Sequence, residues 1–224
     1  MDTADALPPW REALDTPWKV RNEARRILTL PFIRLMFLMH GIRWGRNWKV
    51  YGAPIIQKHR RSTIEIGSGL NLRSGKKTNP LSPFHPVVLS TRAANSRIKI
   101  GQQFAMSGGT ICASESIVIG DRVAVGANSI IVDTDFHPLD AARREGHPNE
   151  GKTVAVTIED DVFIGANSII LKGVHLGAGC VIGAGSVVAQ AVPAGAIAAG
   201  NPAKVVKIIG YGRPEGGSSE PTAQ

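Results

Sequence analysis

A six-residue repeat of aliphatic residues constrains the fold of this chain more than any other feature of its sequence. Stepping by six through the C-terminal half always meets an aliphatic side chain, at Ile158, Ile164, Ile170, Leu176, Ile182 and Val188. An α-helix would repeat at about 3.6 residues and an isolated strand at about 2, so neither explains the pattern. A short strand followed by a tight turn, repeated along a solenoid, does explain it.

Weaker signs of the same repeat extend it towards the N-terminus, at Ile64, Leu72, Ile98, Ile119, Val125 and Ile131. Two polar segments, residues 73–86 and 133–153, interrupt it. The repeat predicts triangular coils of three hexads, stacked about 4.8 Å apart, with one aliphatic side chain per hexad pointing inward. The two polar segments are then loops outside the array.

The chain divides into three parts. Residues 1–61 are a basic segment with one or two helices around Pro31, residues 62–209 are the repeat array, and residues 210–224 are a low-complexity tail. A solenoid has open ends that need caps. The basic helices and the segment after Pro193 are the candidates for these caps.

The positive charge is concentrated in the N-terminal segment. The chain carries a formal charge of +8, and residues 1–61 hold 12 Lys/Arg against 5 Asp/Glu. Two interpretations of this segment stay open: a solvated cap, or an interfacial anchor that places Arg25, Arg26 and Arg34 against an anionic membrane leaflet. We expect no nucleic-acid partner, because base-reading motifs and stacking aromatics are lacking.

Neither a spanning helix nor a disulfide framework is expected. The most apolar run, residues 27–39, is shorter than the roughly 20 residues that span a bilayer, and no signal-peptide cleavage site follows it. The two cysteines, Cys112 and Cys180, lack metal-ligand spacing. We therefore expect a cytoplasmic protein without a metal, peripheral at the inner membrane if the anchor interpretation holds.

Residues 156–207 (VTIEDDVFIGANSIILKGVHLGAGCVIGAGSVVAQAVPAGAIAAGNPAKVVK) resemble the C-terminal coils of the hexapeptide-repeat acyltransferases. The similarity is to maltose, galactoside and nodulation-type O-acetyltransferases and to colanic-acid-type exopolysaccharide acetyltransferases, over roughly residues 62–208. It implies an all-β solenoid, a left-handed parallel β-helix. It also implies transfer from acetyl-CoA, and a homotrimer with active sites in clefts between neighbouring subunits.

The resemblance also points to a catalytic residue. The stretch IVDTDFHP matches the family's catalytic loop and makes His137 the candidate base. An imidazole suits proton removal from a sugar hydroxyl because its ordinary pKa lies near physiological pH. Asp133 and Asp135 are alternative candidates to orient the ring, and Asp135 is also a candidate acceptor ligand.

Other candidates lie in the earlier loop and the last coils. Asn79 and His85 would line an acceptor pocket, and Gly108 stands where sugar acetyltransferases of the family carry an acceptor-binding Asn. Small residues would floor a groove for the pantetheine of coenzyme A, and two lysines would meet its phosphates. These candidates are Gly165, Ala166, Gly183, Ala184, Lys204 and Lys207.

The favoured function is acetyl transfer to a sugar hydroxyl in polysaccharide or surface-glycan synthesis. Two alternatives stay open. One is a serine or amino-sugar N- or O-acyltransferase on the same fold, and the other is a non-catalytic β-helix assembly subunit.

Overall fold

A computed structural model describes residues 14–147 and 149–212 of the chain. It confirms the predicted left-handed parallel β-helix, preceded by one long helix. Of the predicted tail, only residues 210–212 lie within the described part. The first 13 residues of the basic segment lie outside it as well.

Three parallel sheets form the sides of the prism, one strand of each per coil. The first sheet holds β1 (Lys49–Tyr51), β4 (Asn71–Arg73), β7 (Ala105–Ser107), β10 (Ala124–Val125), β13 (Phe163–Ile164), β16 (Val181–Ile182), β18 (Ala196–Gly200) and β19 (Ala203–Ile208). The second holds β2 (Ile55–Lys58), β5 (Val88–Thr91), β8 (Thr110–Ala113), β11 (Ile130–Val132), β14 (Ile169–Ile170) and β17 (Val187–Val188). The third holds β3 (Thr63–Ile66), β6 (Arg97–Ile100), β9 (Ser116–Ile119), β12 (Val156–Ile158) and β15 (His175–Leu176).

The hexad residues fill the core, but the prediction of one inward side chain per hexad was wrong. The six residues found by stepping from Ile158 are all buried, and so are the six that lie two positions before them. Those second positions include Ser168 and Ser186, whose hydroxyls donate to corner carbonyls such as Gly165 O and Gly183 O. A corner turn therefore places a second small side chain inside, and its polar atom is satisfied by the turn itself.

The corners of the prism stack into three columns. We call the column between the first and second sheets the first corner, that between the second and third sheets the second corner, and the remaining one the third corner. Left-handed residues recur at equivalent corner positions, as at Arg122 (φ 57°) and Asp161 (φ 60°) of the third corner. The two predicted loops leave different corners: residues 74–87 the first and residues 133–155 the second.

The N-terminal end is capped by helix α1 (Pro17–Met39), which runs unbroken through Pro31. Pro31 lies on the exposed side of α1, where the carbonyl that loses its partner can bond water. Ile33 and Phe37 are buried on the other side, and the Phe37 ring centroid lies 5.4 Å from that of Trp48. The helix therefore closes the apolar opening of the first coil.

The first coil begins earlier than the sequence indicated. Strands β1 and β2 lie within residues 1–61, for which the sequence predicts a helical segment. Val50 and Ile56 are spaced by six and are both at least half-buried, so they belong to the repeat. The basic residues that follow, His59 to Arg61, obscured it.

At the other end, β18 and β19 form an antiparallel hairpin that terminates the first sheet.

Cys112 and Cys180 are buried free thiols, and burial raises the pKa of both, that of Cys180 to about 11. None of the helices among the described residues has the length and apolar character needed to cross a bilayer.

Candidate active site

The second corner carries the loop with the candidate base. The base of this loop is a short antiparallel pairing, in which Val154 N–H donates to Asp133 O (2.9 Å) and Asp135 N–H donates to Lys152 O (3.0 Å). The buried carboxylate of Asp133 accepts from the backbone N–H groups of Ser114 (2.7 Å) and Glu115 (2.8 Å), one coil above. Both its oxygens are thus engaged in holding the loop to the column, which gives Asp133 a structural role.

His137 lies on a tightly constrained turn of this loop and is exposed. Its N–H donates to Asp135 O (2.7 Å), and Phe136 before it has a φ of +62°. The returning chain passes so close that a Cβ on Gly151 would lie 2.7 Å from His137 N. The backbone of His137 is therefore fixed while its imidazole faces outward.

Asp135 is placed near this turn but is bound to a lysine. Its Oδ1 accepts from Lys172 Nζ at 2.6 Å, and both side chains are largely buried. Its Oδ2 is buried and, within the described residues, has no hydrogen-bond partner. Lys172 is the residue that sequence reasoning missed, because Asp135 and Lys172 meet only through the stacking of two coils.

The first corner carries the 74–87 loop, which lies flat against its own column. Asn79 Nδ2 donates to Ser107 Oγ (2.9 Å), and Phe84 N–H donates to Asn128 Oδ1 (2.8 Å). A Cβ on Gly108 would come within 2.6 Å of Pro83 Cβ, so this glycine lets the loop approach. Asn79 thus fixes the loop to the coils below.

His85 is half-buried in the same loop. One nitrogen of its ring lies 2.7 Å from Pro86 O. His85 and Asn79 belong to the same loop of the first corner, so both of these acceptor candidates lie on one side of the prism.

Further down the first corner lie the candidate cofactor residues. Gly165 and Gly183 occupy equivalent corner positions in successive coils, and a Cβ on Gly165 would lie 2.5 Å from Ala184 N. The glycines are therefore required by the close stacking of the corners. The same stacking leaves a narrow strip of small residues, including the exposed Ala184 and half-buried Ala166, that a thin ligand could follow.

The two candidate lysines lie at the C-terminal end of this strip. Lys204 and Lys207 are exposed on β19, and Lys204 pairs with Ala199 in the hairpin. Ala199 in turn packs over Gly183, where a Cβ would meet its own at 2.8 Å. The small residues and the lysines thus lie on one side of the prism.

The site residues of one chain do not converge. His137 and the acceptor candidate Asp135 lie on the second corner, whereas the other acceptor candidates, Asn79 and His85, and the cofactor candidates lie on the first. The two corners are the opposite ends of strands such as β11, and the five residue steps from Asn128 to Asp133 span roughly 15 Å. Among the described residues, no group of three or more His, Cys, Asp or Glu is placed to hold a metal ion.

Known proteins match the repeat array. A family model described as the hexapeptide repeat of succinyl-transferase matches residues 115–132 and 155–190. A 2,3,4,5-tetrahydropyridine-2,6-dicarboxylate N-acetyltransferase of Staphylococcus aureus (strain JH9) is 62% identical over 88 residues, which is 39% of this chain. That match spans 31% of the length of this curated relative.

The match to a solved structure covers a larger share of the matched protein. The hexapeptide-repeat-containing acetyltransferase of Vibrio cholerae is 31% identical, with a TM-score of 0.50, over 55% of this chain and 68% of that one. The chain belongs to the hexapeptide-repeat acetyltransferases. A second member of this family, a galactoside acetyltransferase solved with coenzyme A, has the same fold at 23% identity and a TM-score of 0.55, over 94% of this chain and 86% of that one.

Proposed function

We propose that the protein is an acetyl-CoA-dependent O-acetyltransferase that acts on a sugar hydroxyl in polysaccharide or surface-glycan synthesis. The observation that supports this most is the placement of His137: a fixed backbone presents an outward-facing imidazole on the second corner, while the first corner carries a column of small residues that ends at two lysines. The names of the related acetyltransferases agree with this chemistry.

The chemistry asked of His137 is proton removal. A hydroxyl is a weak nucleophile, and a base that takes its proton during attack on the thioester carbonyl contributes about 10²–10⁴-fold in rate. The thioester is already activated, so the reaction needs no covalent intermediate on the protein. The sulfur leaves as a thiolate and takes up the proton, which the imidazolium can supply.

The groove for acetyl-CoA is proposed along the first corner. Pantetheine is a thin, mostly uncharged chain that fits a floor of Gly165, Ala166, Gly183 and Ala184 with reachable backbone groups. Lys204 and Lys207 would meet the phosphates at the end of this floor as exposed cations. We expect Lys204→Ala to weaken coenzyme A binding with a smaller effect on kcat.

A complete site requires a second copy of the chain. The base lies on the second corner and the groove on the first, separated by the length of a strand. A threefold arrangement places the second corner of one prism against the first corner of the next, and so completes three equivalent sites. We therefore propose a homotrimer, and light scattering that gives a monomer mass at micromolar concentration would contradict it.

The test of catalysis is His137→Ala. We expect kcat to fall at least about 10²-fold with coenzyme A binding nearly unchanged, because the imidazole acts on the acceptor proton. His147→Ala is the matched control, since His147 is exposed in the same loop and contacts only Glu150 among the ion pairs of the described chain. Near-native turnover of His137→Ala would overturn the assignment.

The proposed location is the cytoplasmic face of an anionic membrane, touched through α1. The outer side of α1 exposes Leu28 (81%), Phe32 (64%) and Met39 (77%), with the exposed Arg25 and Arg34 beside them. Such a face suits adsorption to an anionic interface. Flotation with anionic but not neutral vesicles, lost in Leu28→Glu/Phe32→Glu, would support this, and equal flotation of wild type and variant would contradict it.

N-acylation is the second candidate, because the relative that is 62% identical is named an N-acetyltransferase. A panel of sugars and amino sugars with labelled acetyl-CoA decides between hydroxyl and amine acceptors. Label on neither class, from a folded oligomer that binds coenzyme A, would favour the non-catalytic assembly role.

A further inference from the structure

An open cavity of about 1160 Å³ lies between α1 and the first two coils, above the 74–87 loop. We call it the helix-side cavity. Its walls come from the N-terminal half of α1, from β1 and β4, and from the start of the loop, and they include Lys19, Val20, Tyr51, Arg73, Lys77 and Asn79. The coenzyme A groove proposed above uses none of these residues.

The lining of this cavity is strongly cationic. Four basic side chains line it, Lys19, Lys49, Arg73 and Lys77, against the single carboxylate of Glu23. That carboxylate is already neutralised: it is paired with Arg26, which lowers the pKa of Glu23, and it accepts from Tyr51 OH at 2.9 Å. The cations that remain favour an anionic ligand.

Two of these cations make no direct contact with a carboxylate among the described residues, although the charge of Lys49 helps to lower the pKa of Glu23. Lys49 and Lys77 are exposed and, within the described chain, belong to no ion pair, whereas Arg73 donates to Thr78 O and lies 4.8 Å from the Tyr51 ring centroid. Asn22 Nδ2 donates to Lys77 O at 2.9 Å and so ties the helix to the loop. The walls are therefore fixed by hydrogen bonds while two ammonium groups stay available.

The α1 wall of the cavity is apolar. Val20, Ala24 and Ile27 line it, and Val20 and Ile27 are at least half exposed. The apolar surface continues along the outer face of α1 to Leu28 and Phe32. A ligand that matches the whole lining carries phosphate at one end and hydrocarbon at the other.

We propose that the helix-side cavity binds a diphosphate joined to a hydrocarbon chain, the carrier end of a lipid-linked sugar acceptor. This assignment rests on the proposed transferase function and names its substrate class. The diphosphate lies between Lys49 and Lys77, and the hydrocarbon leaves along α1. Asn79, which lines the cavity and contacts Ser107 in the third coil, marks the way to the acceptor wall.

The heights of the two sites agree with such an acceptor. Arg73 belongs to the second coil, and the loop with His137 leaves the fourth. Threefold symmetry about an axis parallel to the prism keeps these heights equal in all subunits, so the diphosphate and the reacting hydroxyl lie roughly 10 Å apart along the prism. A sugar attached to the diphosphate spans that gap, and a free monosaccharide does not.

The test is calorimetric titration of the full-length protein, without acetyl-CoA, with farnesyl diphosphate, uridine diphosphate and inorganic pyrophosphate. We expect farnesyl diphosphate to bind most tightly. Lys49→Gln/Lys77→Gln should weaken it at least about tenfold, since two charge-assisted contacts are lost. Arg60→Gln/Lys99→Gln removes the same charge from exposed positions outside the cavity and should leave binding within about twofold.

Each other outcome overturns a named part of the proposal. Tighter binding of uridine diphosphate would reassign the cavity to a nucleotide, and equal binding of pyrophosphate would remove the hydrocarbon contact. Equal affinities of wild type and Lys49→Gln/Lys77→Gln would place the ligand elsewhere. Binding to the cavity without acetylation of any acceptor would retain this site and overturn the proposed transferase function instead.

Discussion

The two loops that interrupt the solenoid differ in what their polar groups do. The 74–87 loop lies on its own column, where Asn79, Phe84 and Gly108 hold it to the next two coils. The 133–155 loop is fixed near its base by Asp133, by the Asp135–Lys172 pair and by Arg92 over the Phe136 ring, and its short helix α2 (Ala141–Gly146) has no buried residue. We call the first corner with its 74–87 loop the wall, because this loop lies against its own prism. We call the 133–155 loop the arm, because it extends away from the prism.

This contrast explains why a single chain holds the parts of a site without forming one. The wall supplies a binding surface and the arm supplies the His137 side chain. The two lie on corners that are separated by the length of a strand. In the proposed trimer, the arm of one subunit reaches the wall of the next. The contrast between arm and wall therefore predicts which variants act in the same subunit and which complement each other.

The largest expected effect is recovery of activity in mixed trimers. His137→Ala disables the arm, and Ala184→Trp blocks the wall, where Ala184 is exposed and tolerates a larger side chain without core disruption. Each variant alone should lose at least about 99% of activity, whereas co-refolded equal mixtures should regain about a quarter of the sites, because one interface in four joins two intact corners. Absence of recovery in verified hetero-trimers would place both parts in one subunit.

The next effect concerns the side chains that anchor the two loops. Asp133→Ala leaves two part-buried backbone donors without their charged acceptor and should lower the free energy of unfolding by about 3 kcal/mol. Asn128→Ala removes one acceptor from an exposed N–H and should cost about 1 kcal/mol. Denaturant unfolding measures both, and a larger loss for Asn128→Ala would reverse the order of the two anchors.

Glycine substitutions should reveal a smaller difference in stability between the wall and the arm. Gly108→Ala meets a positive φ of 60° and a Cβ contact of 2.6 Å to Pro83, so it should cost about 2 kcal/mol. Gly146→Ala has nothing within 4 Å and lies in α2, so stability should stay equal or rise by up to about 1 kcal/mol. Thermal unfolding of the pair checks this, and similar losses would mean that the arm is packed like the wall.

The smallest effect is a pH dependence at the third corner, which carries no candidate site residue and serves as the baseline. His175 and the N–H of Ala178 donate to Glu159, in that order of importance, and lower the pKa of Glu159 below its ordinary 4.5. This contribution to stability is present above the unfolded pKa and is lost as pH falls through the folded one. In Glu159→Gln, the free energy of unfolding should depend less on pH below about pH 4.5, and activity at neutral pH should be unchanged. Denaturant unfolding of both proteins over this pH range measures the difference.

Periodicity predicted the parts of the fold that depend on local sequence. The hexads from Ile158 to Val188 predicted the coils, and their breaks predicted both loops, because burial of an aliphatic side chain at every sixth position is a local requirement. An inserted loop interrupts the count of hexads, so the sequence does not indicate from which corner each loop leaves the prism. The positions of His137 and Asn79 on different corners could therefore not be predicted. The pairing of Asp135 with Lys172 was hidden for the same reason, since stacking joins residues 37 apart.

The constant rise of the coils has a further consequence for selectivity. Every feature of the prism stands at a height set by the number of coils beneath it, and no side-chain substitution alters that height. Under the proposed function, an acceptor of different length is accommodated by gaining or losing a whole coil, in steps of about 4.8 Å. The distance along the prism that a bound substrate can cover then depends on the number of hexads in the chain rather than on any one residue.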